Sequence, residues 1–276
     1  MTIGWYPGHM NKARKDIMKL LLQVDLVIEL VDARLPYSSE NPLLNSLIKE
    51  TARLKVLNKT DLADPATTKL WIDFYEQKNI TPYALDKNQP EAIKKILKNA
   101  RKVSGKKPEQ ILRIMIVGIP NVGKSTFLNI LSERKIAKVG NEPAVTKHAS
   151  EISLDESIKL IDTPGVLWPK IEDQQSAYRL AVTGAIKNTA IEFEDIALFA
   201  IDFLRRDYPV QLAERYQLPD VSLEASLLLE AIGIKRGCLR KGGVDYHKAS
   251  ETLLNDIRNG ALGRISLEKP EQIALT

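Results

Sequence analysis

Residues 118–125 read Gly-Ile-Pro-Asn-Val-Gly-Lys-Ser, the spacing G-x-x-x-x-G-K-S. A loop of this kind works only between a strand and a helix, which commits the surrounding chain to a layered α/β arrangement. Both neighbours are present: residues 111–117 (ILRIMIV) are strand-like and 125–131 (STFLNIL) are helical. Gly118 and Gly123 let the backbone wrap closely around phosphates, with N–H groups pointing inward. The following helix adds its positive N-terminal end. Asn121, Val122 and Thr126 complete the expected lining. Lys124 is placed to neutralise charge between the β- and γ-phosphates, and Ser125 to ligate Mg²⁺. The loop alone does not choose the base.

Residues 58–61 read Asn-Lys-Thr-Asp, directly after the strand-like run 54–57 (LKVL). N-K-x-D at a strand end is the guanine-reading pattern of GTPases. The Asp61 carboxylate can accept from guanine N1–H and from the 2-amino group, a donor pair that adenine lacks. The Lys59 stem can lie along the base plane, and Asn58 can tie this loop to the phosphate loop. Taken alone, four such residues read as a polar turn. Beside a phosphate loop they carry weight. Residues 162–165 read Asp-Thr-Pro-Gly after the run 158–161 (IKLI). D-x-x-G there offers Asp162 to Mg²⁺, commonly through water, and the Gly165 N–H to the γ-phosphate. Thr146, in Pro-Ala-Val-Thr at 143–146, falls between the phosphate loop and D-x-x-G and would add a second hydroxyl ligand to Mg²⁺.

The usual GTPase order is phosphate loop, switch threonine, D-x-x-G, then N-K-x-D. Here N-K-T-D comes 60 residues before the phosphate loop. The set is complete but rotated, as in a circularly permuted GTPase. Chain termini often lie close together, which is why such rotation is tolerated. The basic segment 94–107 would join the two usual ends, and the strand end at Ala84-Leu85 would supply the second base-contacting loop.

Strands are read at 26–31, 54–57, 81–85, 112–117, 149–154 and 158–161. Their alternation with helical patterns predicts a mostly parallel sheet with helices on both faces, in the strand order 5-6-4-1-2-3. From Ala177 onward, apolar residues such as Leu212, Leu223, Leu227, Leu228 and Ile232 recur at helical spacing, with breaks at Pro209 and Pro219. The expected division is an α/β domain, 1–176, and an all-helical domain, 177–276. With 44% hydrophobic and 27% charged residues, the chain is not intrinsically disordered. No apolar run reaches the roughly 18 residues of a membrane span, and the N-terminus lacks a secretory pattern. A single cysteine, Cys238, excludes an intramolecular disulfide and a cysteine-based zinc cluster, and fits a reducing, cytoplasmic compartment. It reads as an incidental thiol. The net charge of +5 divides into +6 over the first 176 residues and −1 over the remaining 100. Basic clusters lie at 12–19, 94–107 and 235–241. Each alone is a solvated face; together they favour a nucleic-acid phosphate partner. Phe203, Tyr208 and Tyr216 read as core residues rather than base-stacking platforms.

The rotated motif order, Trp5-Tyr6-Pro7-Gly8-His9-Met10 at the start, and Val31-Asp32-Ala33-Arg34 after the first strand together resemble the YlqF/RbgA family, ribosome biogenesis GTPase A. The resemblance covers the GTPase part in detail and the tail in character and length. It implies GTP and GDP binding with Mg²⁺, and slow hydrolysis stimulated by the ribosomal particle. It also implies a role in assembling the large (50S) subunit, with contacts to its precursor and to rRNA through both domains. A monomer off the ribosome is expected. Asn121 matches the phosphate-loop asparagine of K⁺-activated GTPases, which makes it a K⁺ candidate. Ala144 stands where related sequences often carry glycine.

Many GTPases place a glutamine just after D-x-x-G to orient the attacking water. Here that position is Val166, which cannot hydrogen-bond through its side chain. His9, in a Pro-Gly turn before an amphipathic helix, is the leading replacement, and the resemblance points to it too. The alternatives are that this turn only caps the helix, or that His148 acts instead. After Gly165 the chain runs through Val166-Leu167-Trp168-Pro169 towards the tail, so the γ-phosphate state is expected to bias the tail's orientation. Two further readings remain: an RNA-binding structural factor whose affinity the nucleotide tunes, and a metabolic P-loop kinase or ATPase, against which N-K-T-D argues.

Overall fold

The computed structural model describes residues 17–42, 47–48, 51–86, 90–132, 150–163, 171, 173–186 and 192–273. Six strands form one sheet: β1 (Leu26–Asp32), β2 (Ala52–Asn58), β3 (Pro82–Leu85), β4 (Leu112–Val117), β5 (Ser150–Ser153) and β6 (Ile158–Asp162). Their order is β3-β2-β1-β4-β6-β5, the expected order read from the other edge. β5 runs antiparallel to β6, and the remaining pairs are parallel. Three strands extend one residue past the apolar runs. Asp32, Asn58 and Asp162 are the last paired residues of β1, β2 and β6, because a neighbouring strand still satisfies their backbone groups.

Side chains alternate across a strand, and both faces of this sheet are covered. Leu26, Ile28 and Leu30 of β1 share one face with Leu54, Val56, Ile114 and Ile116. They pack against Ile93, Ile96 and Ala100 of α2 (Pro90–Val103) and Phe127 and Leu128 of α3 (Lys124–Leu131). On the other face, Val27, Met115 and Val117 pack with Ile17 and Ile48. Further along that face, Val31 and Leu57 pack with Trp71 and Tyr75 of α1 (Pro65–Gln77). Asp64 caps α1 by accepting from the Thr67 N–H at 2.7 Å, and Pro65 follows as a pre-set first helical residue.

The tail holds α4 (Gln174–Val182), α5 (Phe193–Asp207), α6 (Pro209–Tyr216), α7 (Ala225–Lys235) and α8 (Tyr246–Asn259). It also carries a small antiparallel ribbon, β7 (Leu239–Arg240) with β8 (Gly243–Val244), which a purely helical reading missed. Lys241 and Gly242 make the reversal there, with Gly242 in the left-handed region. Tyr208 and Tyr216 are buried, Phe203 packs against the core, and Cys238 is buried beside the Thr252 hydroxyl. Buried apolar side chains continue without a break from the sheet into α4, α5, α7 and α8. Beyond α8 the chain returns to α1, whose Trp71 indole N–H donates to the Glu268 carbonyl at 3.2 Å.

Candidate nucleotide site

The chain leaves β1 towards β2 and β3 on one side, then crosses back through α2 to β4 on the other. In open α/β sheets the crevice at such a reversal, outside the carboxyl ends of the strands, is where ligands bind. Strand register brings the sequence motifs to that edge. Asp32 pairs with Asn58, Asn58 with Leu85, and Asp162 with Ile116, two residues before Gly118.

Gly123 closes the phosphate loop in the left-handed region (φ +99°) and caps α3. A Cβ there would stand 2.3 Å from Asn58 Nδ2, so only glycine admits the contact. The Asn58 amide donates to the Val122 carbonyl at 2.8 Å, joining the N-K-T-D turn to the phosphate loop across 64 residues of sequence. Lys124 Nζ donates to the carbonyls of Gly118 and Ile119, both at 2.9 Å. Burial pulls its ammonium down to about 8, opposed by the Asp162 carboxylate on the same edge. Ser125 and Thr126 occupy the first turn of α3, where the helix dipole favours anions. The Thr163 hydroxyl donates to the Ile116 carbonyl at 2.7 Å and anchors the start of D-T-P-G to β4. Ser125 and the buried Asp162 are oxygen donors of the hard type that Mg²⁺ takes.

In the N-K-T-D turn, Lys59 sits in the left-handed region (φ +63°) and its ammonium meets Asp32 Oδ2 at 2.9 Å. Arg34 reaches the same carboxylate with Nε at 3.0 Å and Nη2 at 2.8 Å. Burial alone would raise the Asp32 carboxyl; the Arg34 and Lys59 charges overcome it and hold it well below the ordinary carboxylate range. Burial in turn draws the Lys59 ammonium down, with Asp32 opposing. The Thr60 N–H donates to the Leu85 carbonyl at 3.2 Å, which ties the turn to the end of β3. Leu85 is buried, Ala84 exposed, and Asp61 partly buried.

Asp32 and Arg34 had no role assigned from the sequence beyond marking a resemblance. The signal was present: two charged residues directly after an apolar strand, at the edge where the loops meet. Asn121 is engaged differently from its expected place towards phosphate or K⁺, since its Nδ2 donates to the Gly184 carbonyl at 2.7 Å, just beyond α4. The phosphate loop therefore touches the helical region directly. His9, Thr146, His148, Gly165 and Val166 lie outside the described residues.

Residues 113–229 match the family described as 50S ribosome-binding GTPase. A match that starts at β4 leaves out the N-K-T-D turn, as the rotated order requires. The chain is 43% identical to ribosome biogenesis GTPase A of Priestia megaterium over 283 residues, covering 99% of this chain and 98% of the relative. It also superposes on GNP-bound YlqF from T. maritima with a TM-score of 0.73 at 30% identity, covering 94% of this chain and 99% of the other. A GDP-bound YlqF structure gives the same TM-score and identity, covering 92% and 99%. With this similarity over nearly the whole chain, the chain is a circularly permuted GTPase and belongs to the ribosome biogenesis GTPase A family.

Proposed function

We propose that this GTPase binds Mg²⁺-GTP at the strand edge and uses hydrolysis to time its association with the precursor of the large (50S) ribosomal subunit, contacting rRNA. The observation that carries the reading is the Asn58–Val122 hydrogen bond, which unites base-reading and phosphate-binding loops in one site. The names of the relatives support a ribosomal partner. Ser125, Asp162 and Thr146 would hold Mg²⁺, which would neutralise phosphate charge, and Asn121 would serve K⁺ only on leaving the Gly184 carbonyl to which it donates here. His9 orients the attacking water in place of the missing glutamine. Hydrolysis is slow alone and stimulated by the particle. The protein works as a cytoplasmic monomer off the ribosome, with 1–176 as the GTPase unit and 177–276 as the RNA-facing unit.

Two surfaces support the RNA contact. Lys94, Lys98 and Lys102 recur every fourth residue on the exposed face of α2, opposite Ile93, Ile96 and Ala100. Lys235, Arg240 and Lys241 are exposed around the β7–β8 ribbon. Within the same clusters, Arg101 is spent on the carbonyls of Lys107 and Gln110, and Lys106 on Asp25, so these two serve the fold.

Sedimentation with large-subunit precursor particles tests the reading, comparing GDP with a non-hydrolysable GTP analogue. Preferential co-sedimentation with the analogue is expected, and equal binding in both states would sink the timing role. Turnover measured with and without particles separates the enzyme from a nucleotide-tuned RNA-binding factor, which would show no stimulation. In the same assay His9→Ala should keep GTP affinity and lose most of the stimulated turnover; unchanged turnover removes His9 from the mechanism.

A further inference from the structure

The segment after α8 runs along the outside of the base-reading turn. Gly260 ends α8 in the left-handed region (φ +76°) and lies against Leu62, where a Cβ would stand 2.7 Å from Leu62 Cδ2. Arg264 then forks across the turn: Nη2 donates to the Thr60 carbonyl at 2.7 Å and Nε to the Ala63 carbonyl at 2.9 Å. The Ile265 N–H donates to the Leu62 carbonyl at 3.0 Å, and the Asp64 N–H donates to the Ser266 hydroxyl at 3.1 Å. The strap is fastened further on by the Leu267 N–H to the Arg34 carbonyl at 2.6 Å. Backbone groups of Thr60, Leu62, Ala63 and Asp64 are thus all held by 264–266. The two carbonyls gripped by one guanidinium flank Asp61.

We propose that Arg264 is a positioning residue for guanine recognition, setting the pose of Asp61 from outside the site and making the helical region part of the base-reading apparatus. The inference rests on the reading of 58–61 as the guanine reader. The physical reason is geometric. Asp61 must present both oxygens at once to N1–H and the 2-amino group, each within about 3 Å and near-linear. A turn achieves that only if its backbone is held, and a planar fork holds two carbonyls at a defined separation where an ammonium holds one. Arg264 is itself exposed, so little of its effect comes through burial. Linkage makes the coupling reciprocal: a base bound at Asp61 tightens the docking of the strap.

The test measures binding of fluorescently labelled GDP and, by competition, of GDP and inosine diphosphate to the full chain. Inosine diphosphate keeps the phosphates and N1–H but lacks the 2-amino group. Arg264→Ala should weaken GDP by roughly tenfold, the scale of a lost hydrogen bond to a charged group, and weaken inosine diphosphate less, so that the preference between them shrinks. Arg264→Lys, which keeps the charge without the fork, should not restore it. Thermal unfolding is recorded alongside. A lowered Tm with an unchanged preference means a structural role only and overturns the inference, as does full restoration by lysine. If Arg264→Ala does not fold, the preference read on Arg264→Lys decides in the same way. Wild-type protein that fails to prefer GDP over inosine diphosphate would overturn the base-loop reading itself, a result separate from failure of the Arg264 variants alone.

Discussion

Asp61 and Asp32 are both carboxylates that follow or end sheet strands, and their settings differ. Asp32 is locked by Arg34 and Lys59, so its charge is spent inside the protein. Asp61 lies on the turn that the Asn58–Val122 bond ties to the phosphate loop. The difference gives a sharp expectation for Asp61→Asn. An amide offers one acceptor and one donor where the carboxylate offers two acceptors. Guanine, with two donors, then loses a charge-assisted bond and faces a clash of donors. Xanthine, with N1–H beside a C2 carbonyl, fits the amide. GDP affinity should fall on the order of 100-fold, the combined scale of two such bonds, while xanthosine diphosphate gains. Competition binding reads both, and an unaltered GDP preference would contradict the assignment of the turn. Asp61 and Lys124 were legible from short motifs. Arg34 was visible beside Asp32, two residues back, but its other partner, the Ile257 carbonyl 223 residues on, reaches it only through folding.

At the scale of elements, β1 shows where patterning reads well and where it does not. The run LVIELV announces a buried strand, and Glu29 looks like a polar interruption. Its register partner is Lys55 of β2, also buried. Glu29 Oε2 lies 3.1 Å from Arg53 Nη2 and 3.3 Å from Lys55 Nζ, and Lys55 also meets Glu40. This ionic group divides the second face of the sheet into its two separate apolar clusters. Removing one partner leaves a charge uncompensated in the interior. Lys55→Met should cost about 3–5 kcal/mol, whereas replacing Glu29 and Lys55 together by apolar residues should recover most of it. Urea denaturation of the three proteins measures this, and a single variant as stable as the double would count against the pairing. Cross-strand pairing of charges has no signature within either strand, so it was not legible before the register was known.

The whole molecule is held by contacts that cross from the tail to the sheet. Glu268 is buried and accepts from the Tyr37 N–H at 2.5 Å, the Ser38 N–H at 3.0 Å and the Ser38 hydroxyl at 2.5 Å. Burial pushes its carboxyl up to about 7, with Ser38 and Arg179 opposing. The ordinary value is 4.5, so between the two the folded state binds more protons than the unfolded chain. The Glu268 contribution is therefore fully present below about 4.5 and is lost as pH rises towards 7. Urea midpoints taken across this range should show wild-type losing stability relative to Glu268→Gln as pH rises; parallel profiles would exclude the effect. Strand pairing explains how rotation of the chain is accommodated. The sheet order and its crevice depend on which strands pair, and the connection that opens or closes elsewhere leaves those pairings intact.

The amino-acid sequence by itself determined the phosphate loop and the N-K-T-D turn, because each is written in a few adjacent residues with a fixed local geometry, and their rotated order along the chain implied the strand order. It left open what stands behind those loops. Arg264 lies 201 residues from the Ala63 carbonyl that it holds, and Asn121 lies 63 from its partner Gly184. Only the tertiary structure decided these, since a backbone carbonyl accepts from any donor brought within reach, and which donor arrives is set by the packing of the whole chain.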